Sequence, residues 1–271
     1  MRSSKFTVTR RTKMAKNRLE IETDGFSCKQ KEDFCLVNLN QNAIEILTRI
    51  DVKDQFLSTL RKIDDSKKIK GLVIANSPTY RVDIDLRNLI AHFSKIFRYG
   101  IEDRTVSRFK NSILQLVNIF INYTIPTIVA MNGDIEDNLF GLSLACDFRF
   151  ATPNTTFHFP SVKMGLPTTG VLAYYLVQYI GRQRTTDLLL TKTSLSAPEA
   201  KDLGLLTGVT IDEELIDNCL EKLNVINQYP SYGVSAVKRV LQPNPSEVAN
   251  FIDKAFDQFI LNLFMMKEKE L

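Results

Sequence analysis

The chain has 271 residues, 44% of them hydrophobic and 24% charged, with a formal net charge of +4, which suits one globular domain with a large core. No run approaches the about 18 consecutive apolar residues of a membrane span, and no charged start leads into an apolar secretory stretch, so a cytoplasmic protein is expected. Four scattered cysteines without a Cys-x-x-Cys pair, only two histidines, and neither a Gly-x-Ser-x-Gly elbow nor a Gly-rich nucleotide loop argue against a metal site, a serine-hydrolase triad and nucleotide binding.

Arg2, Lys5, Arg10, Arg11, Lys13, Lys16 and Arg18 all precede the first acid, Glu20. Without them the remainder is slightly acidic. We read residues 1–18 as a basic, disordered tail rather than a transit leader or a nucleic-acid arm, because it holds no aromatic beyond Phe6 and no apolar stretch.

The segment Phe34-Cys-Leu-Val-Asn-Leu-Asn40 alternates as a strand does, and Val52, Phe56, Leu60 and Ile63 recur at helical spacing. The apolar run Gly71–Ala75 follows, giving strand, helix, strand and hence a parallel pair joined by a right-handed crossover. Asn76-Ser-Pro-Thr79 closes that strand, a helix is expected near residues 86–97, and Val106, Phe109, Ile113, Leu116, Val117 and Phe120 mark another that ends before Pro126. Thr127–Met131 reads as a buried strand turned by Asn132-Gly133, with a short helix over Leu139–Ala145.

Short strands are expected at Phe148–Phe150 and Thr156–Phe159, then a helix from Val171 to Tyr179 stopped by Gly181 and another over Thr185–Leu190. Ser196-Ala-Pro-Glu199 has the spacing of a capping box. Beyond Asp212 the pattern is helical, broken at Pro230, Pro243 and Pro245. The last helix carries Phe251, Ile252, Phe256, Phe259, Ile260, Leu263 and Phe264, a stripe broad enough to dock on the body or to be shared with another subunit.

Local words in a fixed order then point to a family. Pro126-Thr-Ile-Val-Ala-Met-Asn-Gly133, Leu144-Ala-Cys-Asp147, Phe159-Pro160, Lys163-Met-Gly-Leu166, Tyr179-Ile-Gly181, Leu189-Leu-Thr191 and Ser196-Ala-Pro-Glu-Ala200 with Gly204-Leu205 together resemble the crotonase (enoyl-CoA hydratase/isomerase) superfamily from Leu36 to Leu241. The resemblance implies an α/β fold: a crotonase-like ββα spiral core over residues 19–211 and a C-terminal helical region over 212–271 that serves packing or oligomerisation. It also implies an acyl-CoA or carrier-bound thioester as ligand, no other cofactor, and a homotrimer or a dimer of trimers.

In that family two backbone amides hold the thioester oxygen, so that fixed N–H dipoles meet the charge of a developing enolate. By position these are the amides of Val82 and Asn138. Both surroundings depart from the family: Asp83 follows Val82, and Asp137-Asn138-Leu139 replaces a glycine triplet. Asp137 suits a helix N-cap, where its charge would oppose an enolate.

The family's two hydratase glutamates fall on Gly141 and Ser161, and the alternative acid-bearing loop offers only Thr168 and Thr169. Hydration needs a carboxylate to activate water and a second group to supply a proton, so ordinary hydratase chemistry is not expected. Ser161, His158 and Tyr80 remain as candidate proton donors for a reaction that needs chiefly carbonyl polarisation; Asp83, Asp134, Glu136 and Asp137 also fall near the expected pocket. Two functions follow. One is a divergent enzyme that binds and polarises a thioester. The other is a non-catalytic structural or partner-binding subunit with a closed pocket.

Overall fold

A computed structural model describes residues 19–41, 43–76 and 104–269. The expected helix near residues 86–97 and the expected tail over 1–18 lie outside them. Among the described residues one seven-stranded sheet forms the frame, in the order β1 (Glu20–Glu22), β2 (Phe26–Lys31), β3 (Phe34–Leu39), β4 (Gly71–Asn76), β5 (Thr127–Met131), β7 (Phe148–Ala151) and β10 (Gly208–Val209). The β1–β2–β3 ribbon is antiparallel, and from β3 to β10 every pairing is parallel. A second, small sheet holds β6 (Asp134–Glu136), β8 (Thr156–His158) and β9 (Ser194–Ser196).

Alternation along the strands builds two cores. Side chains of successive residues leave opposite faces, so Val37, Leu72, Ile74, Val129 and Met131 enter the main core. There they meet α1 (Ala43–Thr48), α2 (Ile50–Asp64) and α3 (Arg104–Asn122). Val73, Ala75, Ile128 and Ala130 point the other way and are covered by Leu215, Cys219 and Leu223 of α7 (Leu215–Ile226). Burial on both faces is why β4 and β5 read as unbroken apolar runs rather than as alternating ones.

Further helices are α4 (Asp137–Leu144), α5 (Leu172–Thr191), α6 (Ala197–Asp202), α8 (Ser231–Leu241) and α9 (Pro245–Lys269). Gly181, at φ 79° and ψ 160°, is non-helical and kinks α5 between two helical stretches, the pair of helices expected on either side of it. One punctuation signal acts differently from expectation. Pro245 opens α9 instead of breaking it, because the first helical position has no intrahelical use for an N–H.

The apolar stripe of α9 docks on the body: Val248, Ile252, Phe256, Phe259 and Leu263 are buried. The Phe256 ring meets Phe109 of α3 edge-on at 5.8 Å, and Lys110 Nζ donates to Asp253 Oδ1 at 2.8 Å. Phe251 meets Tyr174. Phe264 stays half exposed beside Leu261 and Met265. No helix among the described residues is long and apolar enough to cross a membrane.

Candidate functional site

The junction of β6 with α4 follows directly on Asn132-Gly133, where Gly133 takes a positive φ of 79°. Strand β6 pairs in parallel with β8, which sets Glu136 beside His158 in the ladder. The chain then turns into α4, all eight residues of which are buried.

Glu136, not Asp137, is the N-cap. Its Oε2 accepts from the Asn138 N–H at 2.6 Å and its Oε1 from the Leu139 N–H at 2.9 Å, with the residue 3% exposed. Both amides are among those a helix leaves without intrahelical partners. A glutamate side chain is long enough to fold back on them. Asp137 is thereby displaced to the first helical position and its carboxyl points elsewhere, to a hydroxyl from the segment after β8.

That hydroxyl belongs to Ser161. Ser161 Oγ donates to Asp137 Oδ2 at 2.5 Å, Asn138 Nδ2 donates to Asp137 Oδ1 at 3.3 Å, and Thr169 Oγ1 donates to Asn138 Oδ1 at 3.0 Å. Ser161, Thr168 and Thr169 are all buried. Asp137, Asn138, Ser161 and Thr169 are thus joined side chain to side chain in one buried polar cluster. Burial pushes the Asp137 carboxyl above the ordinary carboxylate range, against the opposing pull of the Ser161 hydroxyl, Glu136 and the Asn138 amide.

Gly141 has no room for an acid. A Cβ there would stand 2.7 Å from Leu172 N and 2.9 Å from Leu172 Cα, both backbone atoms in the first turn of α5. Beneath α4, Phe140 stacks on Phe157 with ring centroids 4.1 Å apart and leans on Phe159 at 6.3 Å.

His158 stands apart from the cluster. Its Nε2 lies 2.8 Å from Asp134 Oδ1 at a partly exposed site at the end of β8, the central strand of the small sheet. Tyr80, Val82 and Asp83 lie outside the described residues. Sequence reasoning placed Glu136 only in a general group of nearby acids. Its capping role had a local signal, an acid immediately before a short apolar helix, but Asp137 was the shorter and more favoured cap residue beside it.

A groove of about 680 Å³ runs between α8 and the ends of α4 and α5, lined by Phe120, Tyr175, Tyr179, Val234, Val237 and Leu241, with Lys238 and Asp147 also on its wall. A second space, about 30 Å³, sits in the core against Leu139, Leu142 and Cys146. Neither is lined by Asn138, Gly141, Ser161, Thr168 or Thr169.

Helix α8 buries none of its own residues. It is pinned by Lys238, whose Nζ donates to the Ile125 carbonyl at 2.8 Å and forms an ion pair with Asp147. Its Tyr232, Val240 and Leu241 are 80%, 83% and 77% exposed. The buried Arg149 caps the other end of α4, donating from Nη1 to Cys146 O at 2.8 Å and from Nε to Leu205 O at 2.7 Å, with Tyr179 stacked over its guanidinium.

The sequence model of the enoyl-CoA hydratase/isomerase family matches residues 35–250. Among curated proteins, the chain is 30% identical over 148 residues to the enoyl-CoA isomerase/hydratase fer4 of Mycosarcoma maydis, covering 54% of this chain and 51% of that one. It is 29% identical over 122 residues to 4-chlorobenzoyl coenzyme A dehalogenase-1 of an Arthrobacter species, covering 45% and 44%. The chain therefore spans about half the length of the curated relatives it matches. Among solved structures, an enoyl-CoA hydratase from Bacillus halodurans superposes with a TM-score of 0.75 at 18% identity, covering 88% of this chain and 95% of that one.

Proposed function

The chain belongs to the enoyl-CoA hydratase/isomerase family, and from that footing we propose that it is a non-catalytic crotonase-fold subunit, its inherited centre closed and its role the binding of other crotonase-fold chains. One observation carries the reading. The Asn138 amide, which by position would hold a thioester oxygen, already donates to the Glu136 carboxylate.

Magnitudes favour closure. Hydrogen bonds to a charged group contribute about 1.5–3 kcal/mol each, so the two that Glu136 accepts hold it in place by several times the thermal energy. A neutral thioester carbonyl is a weaker acceptor than a carboxylate and brings no charge to replace it. Displacing Glu136 would also leave its carboxylate buried without these partners, at further cost. The missing acids compound this: Gly141 is walled off by Leu172, and Ser161 is committed to Asp137.

The exposed apolar side chains of α8 supply the other half of the reading. A helix that leaves Tyr232, Val240 and Leu241 exposed and has no buried residue suits coverage by another subunit, and a trimer or a dimer of trimers is the assembly we propose. Thioester polarisation, the competing function, needs the Asn138 amide free.

The test uses the full-length protein. Crotonyl-CoA hydration and 3-enoyl-CoA isomerisation should stay at the uncatalysed rate, millimolar acetyl-CoA should leave the melting temperature unchanged, and sedimentation should give a species larger than a monomer. Turnover of either substrate, or a melting shift with acetyl-CoA, would overturn the closed-centre reading.

A further inference from the structure

All four cysteines of the chain lie among the described residues, each buried with a free thiol. Two of them share one place. Strands β2 and β3 form an antiparallel ribbon in which Cys28 pairs with Val37 and Gln30 with Cys35. Two residues are one side-chain repeat along a strand, so Cys28 and Cys35 are diagonal neighbours on the same face. That face is the main core, where both are 1% exposed. The other two thiols stand elsewhere: Cys146 Sγ donates to the Leu142 carbonyl at the end of α4, and Cys219 on α7 packs against the opposite face of the sheet.

The Cys28 thiol, and after it burial, push the Cys35 thiol far above the ordinary range. A protonated thiol is a poor nucleophile, so the closed ribbon protects the pair. The turn that joins the strands is where the ribbon opens. Lys31 pairs with Phe34, which leaves Glu32-Asp33 as a two-residue turn, and Glu32 takes a left-handed φ of 53°. Glycine or asparagine is the usual occupant of that region, and a glutamate there carries steric strain. The side-chain bonds that hold the turn, Lys70 Nζ to Asp33 Oδ2 at 2.6 Å and Gln30 Nε2 to the Glu32 carbonyl at 2.8 Å, are exposed to solvent. Cys35 lies in the second pair from the turn and Cys28 in the fourth, so opening of the hairpin from its turn frees both without unfolding the body.

We propose that Cys28 and Cys35 are a reversible disulfide-forming pair, oxidised by a small disulfide such as glutathione disulfide when the β2–β3 hairpin opens at its turn. One thiolate attacks the glutathione disulfide and expels one glutathione; the second thiol attacks the mixed disulfide, expels the other and closes the S–S bond. Two electrons and two thiol protons leave the protein, and the two glutathione thiols take them up. The product is neutral, so it returns to the apolar core without the cost of burying a charge. Diagonal neighbours stand about 7–8 Å apart, just beyond the roughly 4.4–6.8 Å between Cα atoms that a disulfide spans. Closing the bond must draw the two strands together, which makes it strained and readily reduced rather than a permanent staple. The pair lies apart from the polar cluster at α4 and is independent of the closed-centre reading.

Trypsin resolves the bond, because Lys29 and Lys31 separate the two cysteines. Reduced full-length protein is incubated with glutathione disulfide at pH 8 without denaturant, free thiols are blocked with iodoacetamide, and the digest is read by mass spectrometry. Peptides 19–29 and 32–49 should leave as one linked species, lighter than their sum by two hydrogen atoms, with Cys146 and Cys219 recovered in alkylated form. A large excess of reduced glutathione, added before blocking, should return the two peptides separately. The double variant Cys146→Ala with Cys219→Ala should give the same linked species, and Cys28→Ala should give none. If the variants do not fold, the wild-type digest decides. Separate alkylated peptides from the oxidised wild-type protein, a stable glutathione adduct on either cysteine, a linked species that forms only in denaturant, or one that persists in excess reduced glutathione would overturn the proposal.

Discussion

Gly141→Ala puts the wall of the closed centre to a quantitative test. The new methyl would stand 2.7 Å from Leu172 N and 2.9 Å from Leu172 Cα, so α5 must shift to admit it. Backbone atoms cannot rotate aside as a flexible side chain does, so contacts this short place the cost in the upper part of the usual overpacking range, about 2–3 kcal/mol. Against that stands the better helix propensity of alanine, about 1 kcal/mol in a helix interior. The net expectation is a loss of roughly 1–2 kcal/mol. With a urea m-value of about 3 kcal/mol/M, the unfolding midpoint should fall by roughly 0.5 M. Gly233→Ala in α8 is the matched control, because nothing lies within 4 Å of its Cβ; there only the gain of up to about 1 kcal/mol applies and the midpoint should rise. A Gly141→Ala protein as stable as wild type would refute the reasoning, since a site that accepts a methyl freely could begin to accept the family's glutamate.

Lys238→Met removes the pin under α8 and leaves Asp147, which also accepts from Thr127 N and Oγ1, without its cation. For a pair partly shielded from water the loss should be about 2–3 kcal/mol in chemical denaturation, and limited proteolysis should cut first at the ends of α8. Lys192→Ala should cost less than about 1 kcal/mol, because its bond to Glu199 lies in solvent. Glu199, brought down to about 2 by Lys192 and the Ser196 cap, contributes stability present above its unfolded pKa and lost as pH falls towards 2; Lys192→Ala should reduce that acid dependence in pH-resolved urea titrations. Cys146 and Cys219, both buried with their thiols pushed up to about 12, should react with a thiol reagent at pH 8 only as fast as the protein unfolds.

Where a segment's role is fixed by its own spacing, the sequence was readable. Runs buried on both sheet faces stood out as β4 and β5, and the Ser196–Glu199 box forms both of its reciprocal bonds. Strand β2 did not stand out, because Phe26-Ser-Cys-Lys-Gln-Lys31 buries only Phe26 and Cys28 and carries charge on its remainder. The short α1 has six residues, too few to show a helical period.

The candidate site was legible as a set of positions and illegible as an arrangement, and Asp137 shows why. Its preference for an N-cap is a local rule worth about 1 kcal/mol, and by that rule it should have taken the amides of α4. Two circumstances outside the local window reversed the outcome: a longer acid one residue earlier that reaches the same amides, and a hydroxyl 24 residues later that receives the displaced carboxyl. Ser161 shows the same dependence from the other side. Read alone it is a lost glutamate and a weak proton donor; placed beside Asp137 it becomes the hydrogen-bond donor to that buried carboxyl. The chemistry of this centre therefore resides in the pairing of Asp137 with Ser161, and substituting either residue alone measures the other's altered surroundings as well as its own absence. A double-mutant cycle of Asp137→Asn and Ser161→Ala should accordingly be non-additive by about 0.5–3 kcal/mol, and strict additivity would mean that the two side chains do not act as the unit the geometry makes them.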